Sequence, residues 1–253
     1  MNVKTDPIGV FDSGLGGIST LREMRKLLPG EHFIYYGDTG NAPYGTKTRE
    51  EVLQCAGRVV DRLLQEQIKA LVIACNTATS AAAAQLRKDL QIPVIGMEPA
   101  LKPAHEIRKS GKILVLATPL TLREEKFSRL MSRYGEGAEK VPCDGLVELV
   151  EAEDRDGARR YLETLLAGYS LDEVDAVVLG CTHYVFLRGM IRDMLPDHIA
   201  ITDGNAGTAR QLRRVLAERE LLNDGGEGSV RILTSGTDTD LQKMNRLLRN
   251  ADT

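Results

Sequence analysis

With 253 residues, 42% of them hydrophobic and 27% charged, the chain has the make-up of a folded globular protein and not of a disordered one. Its 33 basic and 36 acidic residues give a formal charge of -3, so there is no basic excess to hold a polyanion, and nucleic acid is not expected as a partner. No apolar run is long enough to span a bilayer, and the opening Met1–Gly14 segment lacks the apolar stretch and cleavage site of a secretory signal. The expectation is a cytoplasmic protein with no membrane partner.

In chain order, short runs rich in Ile and Val and bounded by breakers predict buried strands at Ile8–Phe11, His32–Tyr36, Ala70–Ala74, Pro93–Gly96, Lys112–Ala117, Ala176–Leu179, His198–Thr202 and Val230–Leu233. Helical spacing lies between them. Val52, Ala56, Val59, Val60, Leu63 and Leu64 mark one apolar face, Leu162, Leu165 and Leu166 a second, and Leu212, Val215 and Leu216 a third. Strand and helix alternate throughout, which predicts an α/β fold with mostly parallel sheets flanked by helices. In such sheets ligands bind at the carboxyl ends of the strands.

Several motifs fall at those ends. Asp12-Ser13-Gly14-Leu15-Gly16-Gly17 follows the first strand, and its glycines would let backbone N–H groups face an anion. A dinucleotide fingerprint is the competing reading, with Asp38 at the end of the second strand as the ribose ligand; Ser19 replaces the third glycine it needs. Ala42-Pro43-Tyr44-Gly45 is a tight turn that could lie over a small polar ligand. The run Leu71–Thr77, ending in Cys75-Asn76-Thr77, resembles Val177–His183, ending in Cys181-Thr182-His183. The two cysteines lie 106 residues apart, and the same offset carries Asp12 onto Thr118, the residue after the fifth strand. Two matched strand ends point to an internal duplication, two similar α/β halves whose ligand-binding edges face each other.

Of the four cysteines, Cys55 falls inside a helical pattern and Cys143 in a turn, and both are expected to be structural. They form no CxxC pair, and no third ligand for zinc is evident. Cys75 and Cys181 are each expected to begin a helix, where the dipole lowers a thiol's pKa. Two opposed thiols suit proton transfer at a carbon acid: one thiolate removes the α-proton and the other thiol returns a proton to the opposite face. Asp12 beside one thiol and His183 beside the other could tune them.

At these residues the chain resembles the glutamate racemases, within the aspartate/glutamate/hydantoin racemase group. The matching stretches are Phe11–Gly17, Tyr36–Asp38, Pro43–Gly45, Ala74–Thr77, Leu149–Glu151 and Leu179–His183, in order along almost the whole chain. The segments Gly96–Pro103, Pro119–Glu125 and Asp203–Ala206 depart from the family's pattern. The resemblance implies two pseudo-symmetric domains, 1–97 plus 206–253 and 98–205, with the active site in the cleft between them. It implies racemisation without a cofactor, L-glutamate as the small-molecule substrate, D-glutamate for peptidoglycan, cell wall and cell shape, and a homodimer. It assigns the two-base role to Cys75 and Cys181, with Asp12, His183 and Glu151 in support. Substrate contacts fall to Asp12, Ser13, Tyr44, Gly45, Asn76, Thr77, Thr118, Thr182 and His183. The alternatives are a racemase of aspartate or another amino acid, and a non-catalytic binding protein on the same scaffold.

Overall fold

The computed structural model describes residues 3–223 and 225–249. The chain begins with β1 (Ile8–Asp12), α1 (Ile18–Leu27), β2 (Phe33–Gly37), α2 (Arg49–Leu64), β3 (Ala70–Ile73), α3 (Asn76–Asp89), β4 (Val94–Gly96) and α4 (Leu101–Ile107). It continues through β5 (Lys112–Ala117), α5 (Pro119–Arg123), α6 (Glu125–Tyr134), β6 (Ala138–Pro142), α7 (Leu146–Glu151), α8 (Arg155–Leu166) and β7 (Val174–Leu179). The last elements are α9 (Arg188–Met194), β8 (Ala200–Asp203), α10 (Asn205–Glu218), β9 (Val230–Thr234) and α11 (Asp238–Arg249). No helix among the described residues is long and apolar enough to cross a membrane.

The strands form two parallel sheets, ordered β4-β3-β1-β2-β9 and β6-β5-β7-β8. Both follow one plan. In the first, β1 sits between β3 and β2, with β4 outside β3; in the second, β5 sits between β7 and β6, with β8 outside β7. Cys75 and Cys181 thus follow equivalent strands, β3 and β7, and Asp12 and Thr118 stand at the ends of equivalent strands, β1 and β5. That is the relation the repeated offset predicts. Among the described residues β9 has no counterpart in the second sheet, and it extends the first beside β2.

Each sheet is covered on both faces, which is why its central strands carry near-continuous apolar runs. Successive side chains point to opposite faces. Ile8 and Val10 therefore pack with α1, α10 and α11, while Phe11, on the other face, packs with α2 and α3. In the second sheet Leu114 and Leu116 face α7, α8 and α9, and Ile113 and Val115 face α4 and α6. On α2 the predicted face is buried except Leu64, which is 37% exposed at the helix end.

The sequence pattern does not predict β6. Its residues, Ala-Glu-Lys-Val-Pro, include one that is buried, Val141. It lies at a sheet edge, where charge and proline are tolerated because one side of the backbone has no partner strand. An apolar run is therefore not required there.

Candidate active site

The site grows from the end of β1. Asp12 is fully buried, and its carboxylate joins the two halves. Oδ1 accepts the Gly14 N–H at 2.9 Å, and Oδ2 accepts the Thr182 hydroxyl at 3.1 Å. Thr182 follows Cys181 beyond β7, so this carboxylate ties the carboxyl edge of one sheet to that of the other. The Tyr35 hydroxyl fixes the loop from below by donating to the Gly14 carbonyl at 2.8 Å.

The glycines of this loop matter for close approach. A Cβ on Gly14 would lie 1.9 Å from Glu151 Oε1, and one on Gly16 would lie 2.5 Å from Thr182 Oγ1 and 2.6 Å from His183 Nδ1. The loop is glycine because residues of the second half press against its backbone. The fingerprint reading of the loop also loses its ribose ligand. Asp38 is buried and already accepts hydrogen bonds from Tyr44 at 2.6 Å, Asn41 at 3.0 Å and Ser235 at 2.6 Å.

The two thiols have different surroundings. Cys75 is the N-cap of α3, and its Sγ accepts the Ala78 N–H at 3.3 Å. Its thiol reaches the Ser13 hydroxyl at 3.4 Å. Burial, reinforced by the negative charge of Asp12, pushes the Cys75 thiol up to about 12. This corrects the expectation of a lowered value: desolvation outweighs the helix N-terminus. The charge of Cys181 adds a smaller upward push.

Cys181 does not begin an α-helix as expected. A 3-10 turn, His183–Leu187, follows it and leads into α9. The tight turn places the imidazole beside the thiol, with Cys181 Sγ 3.7 Å from His183 Nδ1. His183 Nε2 lies 2.8 Å from Glu151 Oε1. Thiol, imidazole and carboxylate form one line. Burial disfavours the imidazolium, but the bonds to Cys181 and Glu151 outweigh it and hold His183 well above the ordinary imidazole value. Asp12 is raised by burial, an effect partly offset by His183, Gly14 and Thr182.

Around the thiols stand short polar side chains. Asn76 gives its Nδ2 to Met97 Sδ at 3.3 Å, while its Oδ1 is buried with no protein partner. Thr77 Oγ1 lies 3.0 Å from Thr118 Oγ1 and 3.1 Å from Thr121 Oγ1, and the latter two are 2.9 Å apart. This closed triangle spans the two halves. The motifs do not single out Thr121; its place one helical turn after Thr118 is the signal that could have found it. Gly45 rests against Thr118 of this triangle, since a Cβ there would lie 2.9 Å from Thr118 Cβ. The Tyr44 hydroxyl is turned away to Asp38, which leaves the backbone of the Tyr44–Gly45 turn as its polar surface here.

Cys55 and Cys143 lie outside this network. Both are buried; Cys55 Sγ accepts from Arg58 at 3.2 Å, and the Cys143 thiol approaches the Val141 carbonyl at 3.5 Å. Among the described residues no group of three or more His, Cys, Asp or Glu side chains is placed to hold a metal.

Residues 8–212 match the Asp/Glu/Hydantoin racemase family. A glutamate racemase of Clostridium acetobutylicum is 51% identical over 241 residues, covering 93% of this chain and 94% of that one. A glutamate racemase of Bifidobacterium adolescentis is 51% identical over 242 residues, covering 92% and 93%. The crystal structure of the Thermus thermophilus glutamate racemase in complex with β-chloro-D-alanine superposes with a TM-score of 0.83 at 38% identity, covering 98% of this chain and 94% of the other.

Proposed function

The chain belongs to the Asp/Glu/Hydantoin racemase family and is an amino-acid racemase, and from that premise we propose that it interconverts L- and D-glutamate, with Cys75 and Cys181 as the two bases. One thiolate takes the α-proton, and the electron pair left on carbon is delocalised into the substrate carboxylate. The other thiol delivers its proton to the opposite face, so configuration inverts and each sulfur ends in the other's starting state. No oxidant, metal or cofactor enters this scheme.

The single observation that carries the reading is the Asp12–Thr182 bond, which ties the β1 end, whose Ser13 meets the Cys75 thiol, to the turn that follows Cys181. In this reading Ser13 and Asp12 serve Cys75, and His183, oriented by Glu151, serves Cys181. The unpartnered Oδ1 of Asn76 suits a substrate ammonium group. A cation bound there and beside Asp12 would offset the charge that raises the Cys75 thiol, so substrate itself favours the thiolate. The hydroxyls of Thr77, Thr118 and Thr182 and the turn at Tyr44–Gly45 would receive the carboxylates. Glutamate is favoured over aspartate because the relatives that are 51% identical are named for it.

The same reading divides the chain into 1–97 plus 206–253 and 98–205. Support comes from strand membership: β1 to β4 and β9 in one sheet, β5 to β8 in the other. Residues 1, 2, 224 and 250–253 of the first unit lie outside the described residues. It further takes the enzyme as a cytoplasmic homodimer whose D-glutamate enters peptidoglycan.

The test is to incubate the protein with L- and with D-glutamate in D₂O, without added cofactor, and follow the α-proton by NMR. Exchange from both enantiomers, with optical rotation decaying to zero, is expected. Cys75→Ala and Cys181→Ala should each abolish racemisation. Full activity in either variant would overturn the two-thiol scheme, and exchange with aspartate but not glutamate would overturn the substrate.

A further inference from the structure

Asn76 opens α3 next to Cys75 and is 4% exposed. Its side-chain amide has an oxygen that accepts and an NH2 that donates, and the two diverge from one carbon. Whichever end meets a neighbour turns the other end away from it. Here the NH2 meets Met97: Asn76 Nδ2 lies 3.3 Å from Met97 Sδ, and Oδ1 is buried with no protein partner. A thioether sulfur carries no proton, so it accepts weakly and cannot donate. It therefore selects one of the two orientations of the amide. In the reverse orientation two acceptors would face each other at Met97, and N–H donors would stand where the unpartnered oxygen is.

A methionine side chain turns about three bonds and is ordinarily adaptable. Met97 is instead held firmly. It follows β4 and is 2% exposed. Its backbone N–H lies 3.0 Å from the Ile73 carbonyl and 3.0 Å from Thr79 Oγ1. The Thr79 hydroxyl in turn donates to the Ile73 carbonyl at 3.1 Å. Thr79 stands one helical turn after Asn76 on α3, so the helix that carries Asn76 also anchors Met97. The chain at Gly204 packs on the thioether as well, since a Cβ there would lie 3.2 Å from Met97 Cγ and 3.5 Å from Sδ.

We propose that Met97 is a positioning residue, whose sulfur orients the Asn76 amide so that Oδ1 is presented to the substrate ammonium. This role rests on Asn76 being the ligand of that ammonium. The ammonium keeps its charge while the α-proton leaves, so the contact is the same in substrate and transition state. Loss of such a contact raises KM and spares kcat, whereas general damage to the fold lowers kcat.

The test is Met97→Leu, which nearly conserves volume and removes the acceptor. KM for both L- and D-glutamate should rise about two- to tenfold, the range for one lost orienting hydrogen bond. The kcat should stay within about twofold of wild type. Asn76→Ala should also raise KM, and adding Met97→Leu to it should raise KM no further, because no amide remains to orient. Calorimetric affinity for D-glutamate replaces KM where turnover is too slow to follow. Unchanged KM in Met97→Leu, a fall in kcat at constant KM, or a second rise on top of Asn76→Ala would each overturn the role of Met97. A wild-type protein that does not racemise glutamate would overturn the underlying reading and this role with it, so the two failures are distinguishable.

Discussion

Asp12 is held ionisable in a place where burial opposes its charge. It is also the charge that most pushes the Cys75 thiol upward, after burial itself. The two effects give Asp12→Asn opposite consequences for reactivity and catalysis. Removing the charge should lower the Cys75 pKa, so alkylation of that cysteine by iodoacetamide, followed by peptide mass spectrometry, should begin at lower pH. Racemisation should fall by about 10² or more, the usual loss for a general acid–base group. Slower alkylation of Cys75 in the variant would show instead that Asp12 activates the thiol. At this scale the sequence is partly legible. Cys75 and Cys181 stand out because each closes a strand and opens a turn rich in short polar residues. The sign of the Cys75 shift is not legible, because the desolvation comes from residues brought in by the fold. The Tyr44 hydroxyl likewise spends its bond on Asp38, whose carboxylate faces Ser235 from the far end of the chain.

At the scale of elements, the loop between β1 and α1 fits only without side chains. Gly14→Ala puts a methyl 1.9 Å from Glu151 Oε1 and 3.2 Å from His183 Nε2, so either the His183–Glu151 pair opens or the loop moves. Loss of about 1–3 kcal/mol in urea unfolding is expected from the overpacking. Racemisation should fall with it, and the pH profile should change as His183 loses its carboxylate. Gly57→Ala is the contrast. Gly57 lies in the middle of α2 with nothing within 4 Å of an added methyl, and the change should stabilise by about 0.5–1 kcal/mol. If Gly14→Ala behaves like Gly57→Ala, Glu151 does not press on the loop. Elements with strong internal pattern are legible: central strands as apolar runs, and α2 as a spaced stripe. β6 is not, since an edge strand with one buried residue carries no run. The 3-10 turn after Cys181 is not either, because Thr182 and His183 are set by contacts to Asp12 and Glu151 and not by local preference.

At the scale of the molecule, the repeated offset between the cysteines is enough to foresee two sheets with one plan, since equivalent loops follow equivalent strands. It cannot foresee how much of each interior is closed to water, and that governs stability in alkali. Cys143 is 1% exposed, and burial, with the charge of Cys181 second, pushes its thiol from the ordinary 9.0 up to about 12. Cys75 is pushed up to about 12 as well. A raised folded pKa means that the native state keeps a proton the unfolded chain gives up. Stability from each thiol is therefore fully present below about pH 9 and is lost progressively as pH rises towards 12. At about pH 10 the loss is on the order of 1 kcal/mol for each thiol, one unit past the unfolded value. Cys143→Ala removes one of these titrations and leaves both Cys75 and Cys181 in place. The variant should be less stable than wild type near neutral pH, because buried volume is lost. The difference in unfolding free energy, measured with urea in the presence of a reductant, should narrow by on the order of 1 kcal/mol between about pH 7.5 and about pH 10. An unchanged difference would mean that Cys143 ionises in the native state, and that water reaches the interior of the second half beneath β5 and β6.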